Sequence, residues 1–293
     1  MPWLQVSITT SKAHTEQAEA ALLECGACSI TYRDADDAPI LEPAPGETPL
    51  WENSIVTGLF ASGGDTESLV SRLHVAMAEA RHSIRSEALE DRDWERAWMA
   101  HFHPMQFADN FWVVPSHHDA VDEHAINLRL DPGLAFGTGT HATTAMCLQW
   151  LGQHPPQGKT VLDVGCGSGI LAIAALLLGA SHATGTDIDP QAIEASRHNA
   201  THNRVADRLQ LALVKDYRPE PVDIVLANIL SGPLAQLAPT LAQNCRAGGD
   251  IVLSGILQEQ ADDVRAAYAP WFDMDTTRSQ DDWVMLHGCR KAD

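Results

Sequence analysis

At 293 residues and 31.7 kDa the chain has the length of about two domains. Its 45% hydrophobic and 20% charged residues exclude a disordered or fibrous protein. With 19 Lys+Arg against 39 Asp+Glu the formal net charge is −20, which disfavours holding nucleic acid by phosphate neutralisation and leaves two readings open, steering of a basic partner or solubility alone.

The first ~90 residues alternate short strands and helices. Trp3 to Ile8 reads as a half-buried strand, 14–25 as a helix, and Ser29 to Tyr32 as a second strand. A turn-rich loop follows from Asp34 to Trp51. Ser54 to Phe60 is a third strand, 65–80 an amphipathic helix opened by the capping run Asp65-Thr66-Glu67-Ser68, and Ile84 to Leu89 a last strand. The order β-α-β-β-α-β is that of a ferredoxin-like α+β domain, a fold suited to binding or docking. Residues 91–104, with Asp93-Trp94-Glu95-Arg96, read as a charged linker helix.

From residue 105 the pattern changes. Two strands, Phe111 to Val114 and Ala125 to Leu130, lead into a Gly-rich loop. Strands then alternate with helices. Val161-Leu162 precedes a helix at 168–178, and Ala183 to Thr186 precedes one at 190–202. Leu209 to Val214 is a strand, Val222 to Ala227 precedes a helix near Ser231, Ile251 to Ser254 precedes one at 257–268, and Trp283 to Cys289 closes the series. This alternation predicts a Rossmann-like, parallel, doubly wound α/β sheet over 105–293, with its ligand at the carboxyl ends of the strands.

Cysteines and apolar runs point to no other chemistry. Six cysteines, at 25, 28, 147, 166, 245 and 289, are too sparse for a disulfide scaffold. Cys25 and Cys28 form a C-x-x-C without a second pair or a histidine cluster, so they read as apolar filler at a helix end and no metal site is expected. His101, His103, His117 and His118 likewise lack carboxylate or thiol company. Met1 to Gln5 lacks the charged and apolar regions of a signal peptide. The longest apolar run, Ile170 to Ala180, is about half of the ~20 residues that a membrane span needs. A soluble, cytoplasmic protein is expected.

The stretch Val161-Leu162-Asp163-Val164-Gly165-Cys166-Gly167-Ser168-Gly169-Ile170 carries the chemistry. A Gly-rich turn between strand and helix lets backbone approach a ligand closely. Asp187, 22 positions after Gly165 and at the end of the next strand, can accept hydrogen bonds from a ribose diol. Together they predict an adenosine-type ligand. The glycines run G-x-G-x-G, with Ile170 where the dinucleotide fingerprint has its third glycine. This resembles the first motif of class I methyltransferases that use S-adenosylmethionine.

Further segments narrow the resemblance. They are the run Leu130-Asp131-Pro132-Gly133-Leu134-Ala135-Phe136-Gly137-Thr138-Gly139-Thr140-His141-Ala142-Thr143-Thr144, then Asp187-Ile188-Asp189-Pro190, then Ala227-Asn228-Ile229-Leu230. With the N-terminal unit and the 93–96 segment, the whole chain is similar to the bacterial ribosomal protein L-eleven (L11) methyltransferases. The resemblance implies a catalytic domain that binds S-adenosylmethionine as methyl donor and a small domain, residues 1–90, that docks the ribosomal protein. It implies that Gly165 and Gly167 pass beside the methionine and ribose parts of the cofactor and that Asp187 holds the ribose hydroxyls. Thr144 would bond the amino-acid portion, Phe136 would cover the site, and Asn228 would lie beside the transferable methyl and orient the target amine. Related amide and amine methyltransferases carry Asn-Pro-Pro followed by an aromatic, whereas this chain has Asn228-Ile229-Leu230-Ser231. Competing readings are a methyltransferase for RNA or a small molecule, and a catalytically silent binding module.

Overall fold

The computed structural model describes residues 3–36, 49–61, 65–78, 80, 82–89, 102–130 and 139–292. The chain divides into two compact units, residues 1–98 and 99–293.

In the first unit, β1 (Trp3–Ser11), α1 (Thr15–Glu24), β2 (Ser29–Asp34), β3 (Asn53–Ala61), α2 (Thr66–Ala76) and β4 (His82–Leu89) follow one another. The strands form an antiparallel sheet of order β2-β3-β1-β4. That is the split βαβ arrangement of a ferredoxin-like sheet. Alternate residues of β1, Val6, Ile8 and Thr10, are buried, as a period of two requires when one face is covered. They pack with Leu22 of α1, Val56 and Phe60 of β3, and Leu73 of α2. Asp65 caps α2, its carboxylate accepting from the Glu67 and Ser68 amides at 3.1 and 3.2 Å. Of the linker helix expected over 91–104, residues 91–101 lie outside the described residues, and 102–104 carry no helix.

The second unit opens with β5 (Met105–Ala108), β6 (Phe111–Val114) and β7 (Ile126–Arg129), a small sheet in that order. It continues through α3 (Ala142–Gln153), β8 (Thr160–Val164), α4 (Ile170–Leu177), β9 (His182–Asp187), α5 (Pro190–His202), β10 (Leu209–Leu213), β11 (Val222–Asn228), α6 (Ser231–Asn244), β12 (Cys245–Leu257), α7 (Ala261–Tyr268), β13 (Phe272–Gln280) and β14 (Trp283–Arg290). The large sheet has the order β10-β9-β8-β11-β12-β14-β13. Five strands are parallel, but β14 runs antiparallel to both β12 and β13, so the sheet is mixed rather than wholly parallel. The cause is local: β13 and β14 are joined by the two residues Asp281 and Asp282, and so short a connection makes an antiparallel hairpin.

Alternate residues of each central strand face opposite layers. Val161, Ile224, Leu226 and Val252 join one core with α3 and α4; Leu162, Val225, Ala227, Ile251 and Leu253 join the other with α6 and α7. All of α4 except Leu177 is buried, which explains its unbroken apolar sequence. The strand order reverses between β8 and β11, and the carboxyl ends beside that junction are where an open α/β sheet leaves a crevice. Among the described residues, no helix is long and apolar enough to cross a membrane.

Candidate functional site

The glycine turn leaves β8 at Val164 and enters α4 at Ile170. Gly165, Gly167 and Gly169 have φ of 73°, 54° and 78°, a left-handed conformation that penalises any side chain. Space alone also forbids a side chain at Gly165, where a Cβ would stand 2.3 Å from Ile229 Cγ2. Thr186 O accepts from the amides of Gly165 and Cys166 at 2.8 and 3.0 Å, tying the turn to β9. From α5, Ser196 Oγ donates to Gly167 O and Asn199 Nδ2 donates to Ser168 O, both at 2.9 Å.

Asp163 has a structural duty. Its carboxylate accepts the Ala172 N–H at 3.1 Å, satisfying one of the free donors in the first turn of α4. Burial, reinforced by the negative charge of Asp187, pushes its pKa up to about 7 despite that hydrogen bond. The Cys166 thiol is pushed up to about 12 by burial and by the charge of Asp163, so it is a neutral packing group rather than a nucleophile.

Asp187 ends β9 with both carboxylate oxygens engaged. Oδ2 accepts the Gly167 N–H and Oδ1 the Asp189 N–H, each at 3.0 Å. The acid and the glycine turn, 20 residues apart in sequence, are therefore one constellation. Each oxygen keeps lone-pair capacity for a further donor. Beyond Asp187, Ile188 is 84% exposed, unusual for a large aliphatic side chain beside a crevice.

Thr144 and Asn228 also meet. Thr144 lies buried in the first turn of α3, and Asn228 Nδ2 donates to its Oγ1 at 3.1 Å across 84 residues of sequence. With its nitrogen turned to Thr144, Asn228 presents Oδ1 as an acceptor. The next residue, Ile229, is gripped from two sides. Gly165 faces its side chain, and a Cβ on Gly255 (φ 85°) would stand 2.3 Å from Ile229 O. Ser254, paired in register with Asn228, donates from Oγ to Thr143 O at 3.1 Å and fixes α3 against the sheet. Phe136 lies outside the described residues.

Gly165, Gly167, Asp187, Thr144 and Asn228 thus gather at one end of the sheet. Ser196, Asn199, Ser254 and Gly255 support them and were not singled out from sequence. Gly255 directly follows an expected strand, Ile251 to Ser254, and that was its one visible signal. Ser196 and Asn199 share a helix face three residues apart, a spacing with no chemical signature. A turn with three glycines, an anionic acceptor and an amide with a free carbonyl lone pair suit a ligand with sugar hydroxyls and a partner that brings an N–H. Among the described residues, no group of three or more His, Cys, Asp or Glu is arranged to hold a metal ion.

Comparison with known proteins places these residues in a family. The family model described as "Ribosomal protein L11 methyltransferase (PrmA)" matches residues 2–291. A Klebsiella pneumoniae protein named ribosomal protein L11 methyltransferase is 52% identical over 291 residues, covering 98% of this chain and 99% of its own. One of the same name from Ectopseudomonas mendocina is 51% identical over 292 residues, covering 99% of this chain and 100% of its own. Among solved structures, a ribosomal protein L11 methylase from Lactobacillus delbrueckii subsp. bulgaricus superposes with a TM-score of 0.59 at 33% identity, over 65% of this chain and 100% of that one.

Proposed function

The chain belongs to the ribosomal protein L11 methyltransferase family, and on that premise we propose that it transfers methyl groups from S-adenosylmethionine to amino groups of ribosomal protein L11, the N-terminal α-amine and lysine ε-amines. A ribosomal protein as substrate is consistent with work in the cytoplasm. Asn228 carries the reading at the level of residues: its side-chain nitrogen donates to Thr144, which leaves its carbonyl oxygen available to accept from an incoming amine.

The residues present fit the cofactor. Ribose hydroxyls are donors, and Asp187 is an anionic acceptor held in place by two backbone amides. Gly165 and Gly167 bring backbone without Cβ atoms to the same crevice, beside the methionine and ribose portions. Thr144 serves the amino-acid portion while it holds Asn228. When bound, S-adenosylmethionine supplies a methyl group on a positively charged sulfur, open to displacement by a lone pair.

The amine must arrive with that lone pair. Deprotonating a free lysine of pKa near 10.4 costs about 4.6 kcal/mol at pH 7, whereas an α-amine near 7.8 costs about 1 kcal/mol. The α-amine is the easier target, and lysines depend on desolvation beside a positive charge to lower their pKa. Asn228 Oδ1 can accept an amine N–H and align the nitrogen, and alignment supplies much of the rate in a displacement. We assign no general base.

The test is Asn228→Ala, assayed for labelled methyl transfer into ribosomal protein L11 and, separately, for cofactor affinity by equilibrium binding. The expected result is a loss of about a hundredfold in kcat with affinity held within a few-fold. Unchanged transfer at unchanged affinity removes Asn228 from the reaction, and methyl entering ribosomal RNA instead overturns the substrate.

The first unit is the proposed docking element for the ribosomal protein. Residues 1–98 hold 7 Lys+Arg and 17 Asp+Glu, a net −10, and the twice-longer remainder holds 12 and 22, also a net −10. A basic substrate protein would be steered toward that end. Raising salt should therefore increase KM for the intact protein severalfold and leave KM for a short amine-bearing peptide nearly constant. Equal salt response of the two substrates would return the acidity to solubility alone.

A further inference from the structure

Away from the crevice, the second unit carries a cleft of about 420 Å³ lined by Ser116, Asn127, Arg129, His202, Asn203 and Arg204. We propose that this cleft is a binding site for a phosphate group. It lies at the C-terminal end of α5, the helix whose N-terminus follows Asp187, so the length of α5 separates it from the crevice; 13 residues at 1.5 Å rise make about 20 Å.

Two guanidinium groups reach the cleft from unrelated elements, Arg129 from β7 and Arg204 from the segment after α5. One buried side chain joins them. Asn203 Oδ1 accepts the Arg129 N–H and its Nδ2 donates to Arg129 O, both at 2.7 Å, which holds the backbone of Arg129 beside that of Arg204. The β7 side of the cleft is held as well. Asn127 Nδ2 donates to the carbonyls of Asp122 and Ala125 at 2.9 and 2.8 Å, and Arg129 Nη1 donates to His118 O.

Neither arginine is spent on an ion pair. Among the described residues no carboxylate oxygen comes within 4.0 Å of either guanidinium. The acids of the neighbouring loop, Asp119, Asp122 and Glu123, are exposed, and Asp122 Oδ1 takes the His124 N–H. Two arginines without an ion pair on one cleft are unusual in a chain of net charge −20.

A helix C-terminus attracts cations, and that would account for His202 and Arg204. It does not account for Arg129, which arrives from the small sheet. Nor does it account for a left-handed arginine. Arg204 has φ 58°, in the position after the helix that glycine usually fills, and Val205 N donates back to Ala200 O at 3.0 Å across it. A side chain there is disfavoured relative to glycine, a cost that a ligand contact offsets. Guanidinium forks match phosphate oxygens in geometry and charge, and two forks on one cleft suit a phosphate monoester or diester.

Arg204→Gly gives a sharp test, because glycine relaxes the left-handed backbone while it removes the guanidinium. The intact protein is titrated with inorganic phosphate while the arginine Nε–H signals are followed by NMR, and then with a short single-stranded RNA at low salt. Phosphate should shift the Arg129 and Arg204 signals, and Arg204→Gly should weaken its binding about tenfold with no fall in Tm. RNA that competes with phosphate identifies a nucleic-acid backbone as the source; phosphate binding without RNA competition identifies a free phosphate ester. Both results support the site. Absence of shifts with either ligand, or binding that survives Arg204→Gly at wild-type strength, overturns it.

Discussion

At the carboxyl ends of β8, β9 and β11 the second unit sets left-handed glycines, one acid held by backbone amides and one amide bonded to Thr144. At the opposite end of the sheet, beside the amino ends of β8 and β11 and reaching across β12 and β13 to the carboxyl half of the antiparallel β14, it sets ion pairs. Asp223 accepts from the Thr160 amide and hydroxyl at 2.8 Å each and from Arg246 Nη1 at 2.7 Å. Burial opposes its charge, but these bonds outweigh burial and hold it below the usual carboxylate range. Asp250 lies 3.1 Å from both Lys159 Nζ and His287 Nε2, and His287 Nδ1 lies 2.8 Å from Asp275. The end that admits a ligand relies on backbone geometry, and the other end closes with paired charges. Fixed charges at the crevice would compete with the ligand for the same hydrogen bonds; at the opposite end they tie together segments that the apolar layers leave apart.

Gly165→Ala is the most damaging way to break this division. The new Cβ would fall 2.3 Å from Ile229 Cγ2 at a φ of 73°. Either the turn shifts away from β9 or Ile229 is displaced, and Ile229 adjoins Asn228. The expected outcome is a loss of about 1–3 kcal/mol of stability together with loss of most measurable cofactor affinity, read by denaturant unfolding and equilibrium binding. An alanine variant with wild-type affinity would show that the close approach of this turn is incidental.

The same division explains what could be read in the sequence. A left-handed turn after a strand demands glycine, and an acid at the next strand end follows at a fixed distance. Gly165, Gly167 and Asp187 are legible because backbone geometry dictates residue type. The Thr144–Asn228 bond spans 84 residues, and no local pattern announces it; both were named through resemblance, and only the fold shows that they touch. The charge clusters are less legible still, since the partners of His287 come from β12 and β13 and each is an ordinary surface residue in sequence. β13 escaped notice because it is an edge strand, and polar residues such as Asp275, Arg278 and Gln280 protect such an edge while hiding its alternation. β5 escaped as well, though the Asp109-Asn110 turn before β6 marks a hairpin.

Asp163 is the exception at the ligand end, an ionisable group that is almost wholly buried, and it gives the next largest expected effect. Its folded pKa of about 7 lies above the unfolded value of 3.8. The unfolded chain therefore releases this proton as pH passes 4, while the folded chain keeps it until about 7. Its contribution to stability is complete below pH 4 and falls with rising pH until the folded group ionises. Asp163→Asn keeps an acceptor for the Ala172 amide and cannot ionise. Stability measured from pH 5 to pH 8 should decline for the native chain by an amount on the order of a few kcal/mol and stay flatter in the variant. Parallel curves would mean that Asp163 ionises normally and that the turn tolerates its charge.

His287 provides the smallest effect and the control from the other end of the sheet. Its ring is 13% exposed, and both nitrogens face carboxylates, so only the imidazolium can donate to both partners. The hydrogen bond to Asp250 raises its pKa, burial opposes the rise, and Asp275 adds to it. Because the folded value lies above the unfolded 6.5, the stabilisation is complete below 6.5 and is lost as pH climbs through the folded value. This window begins near where that of Asp163 closes, so the two groups can be separated by pH. His287→Gln should cost about 1–2 kcal/mol near pH 6, and progressively less above neutrality, with cofactor affinity unchanged throughout. A variant that instead loses cofactor affinity at pH 6 would couple the two ends of the sheet and undo their separation.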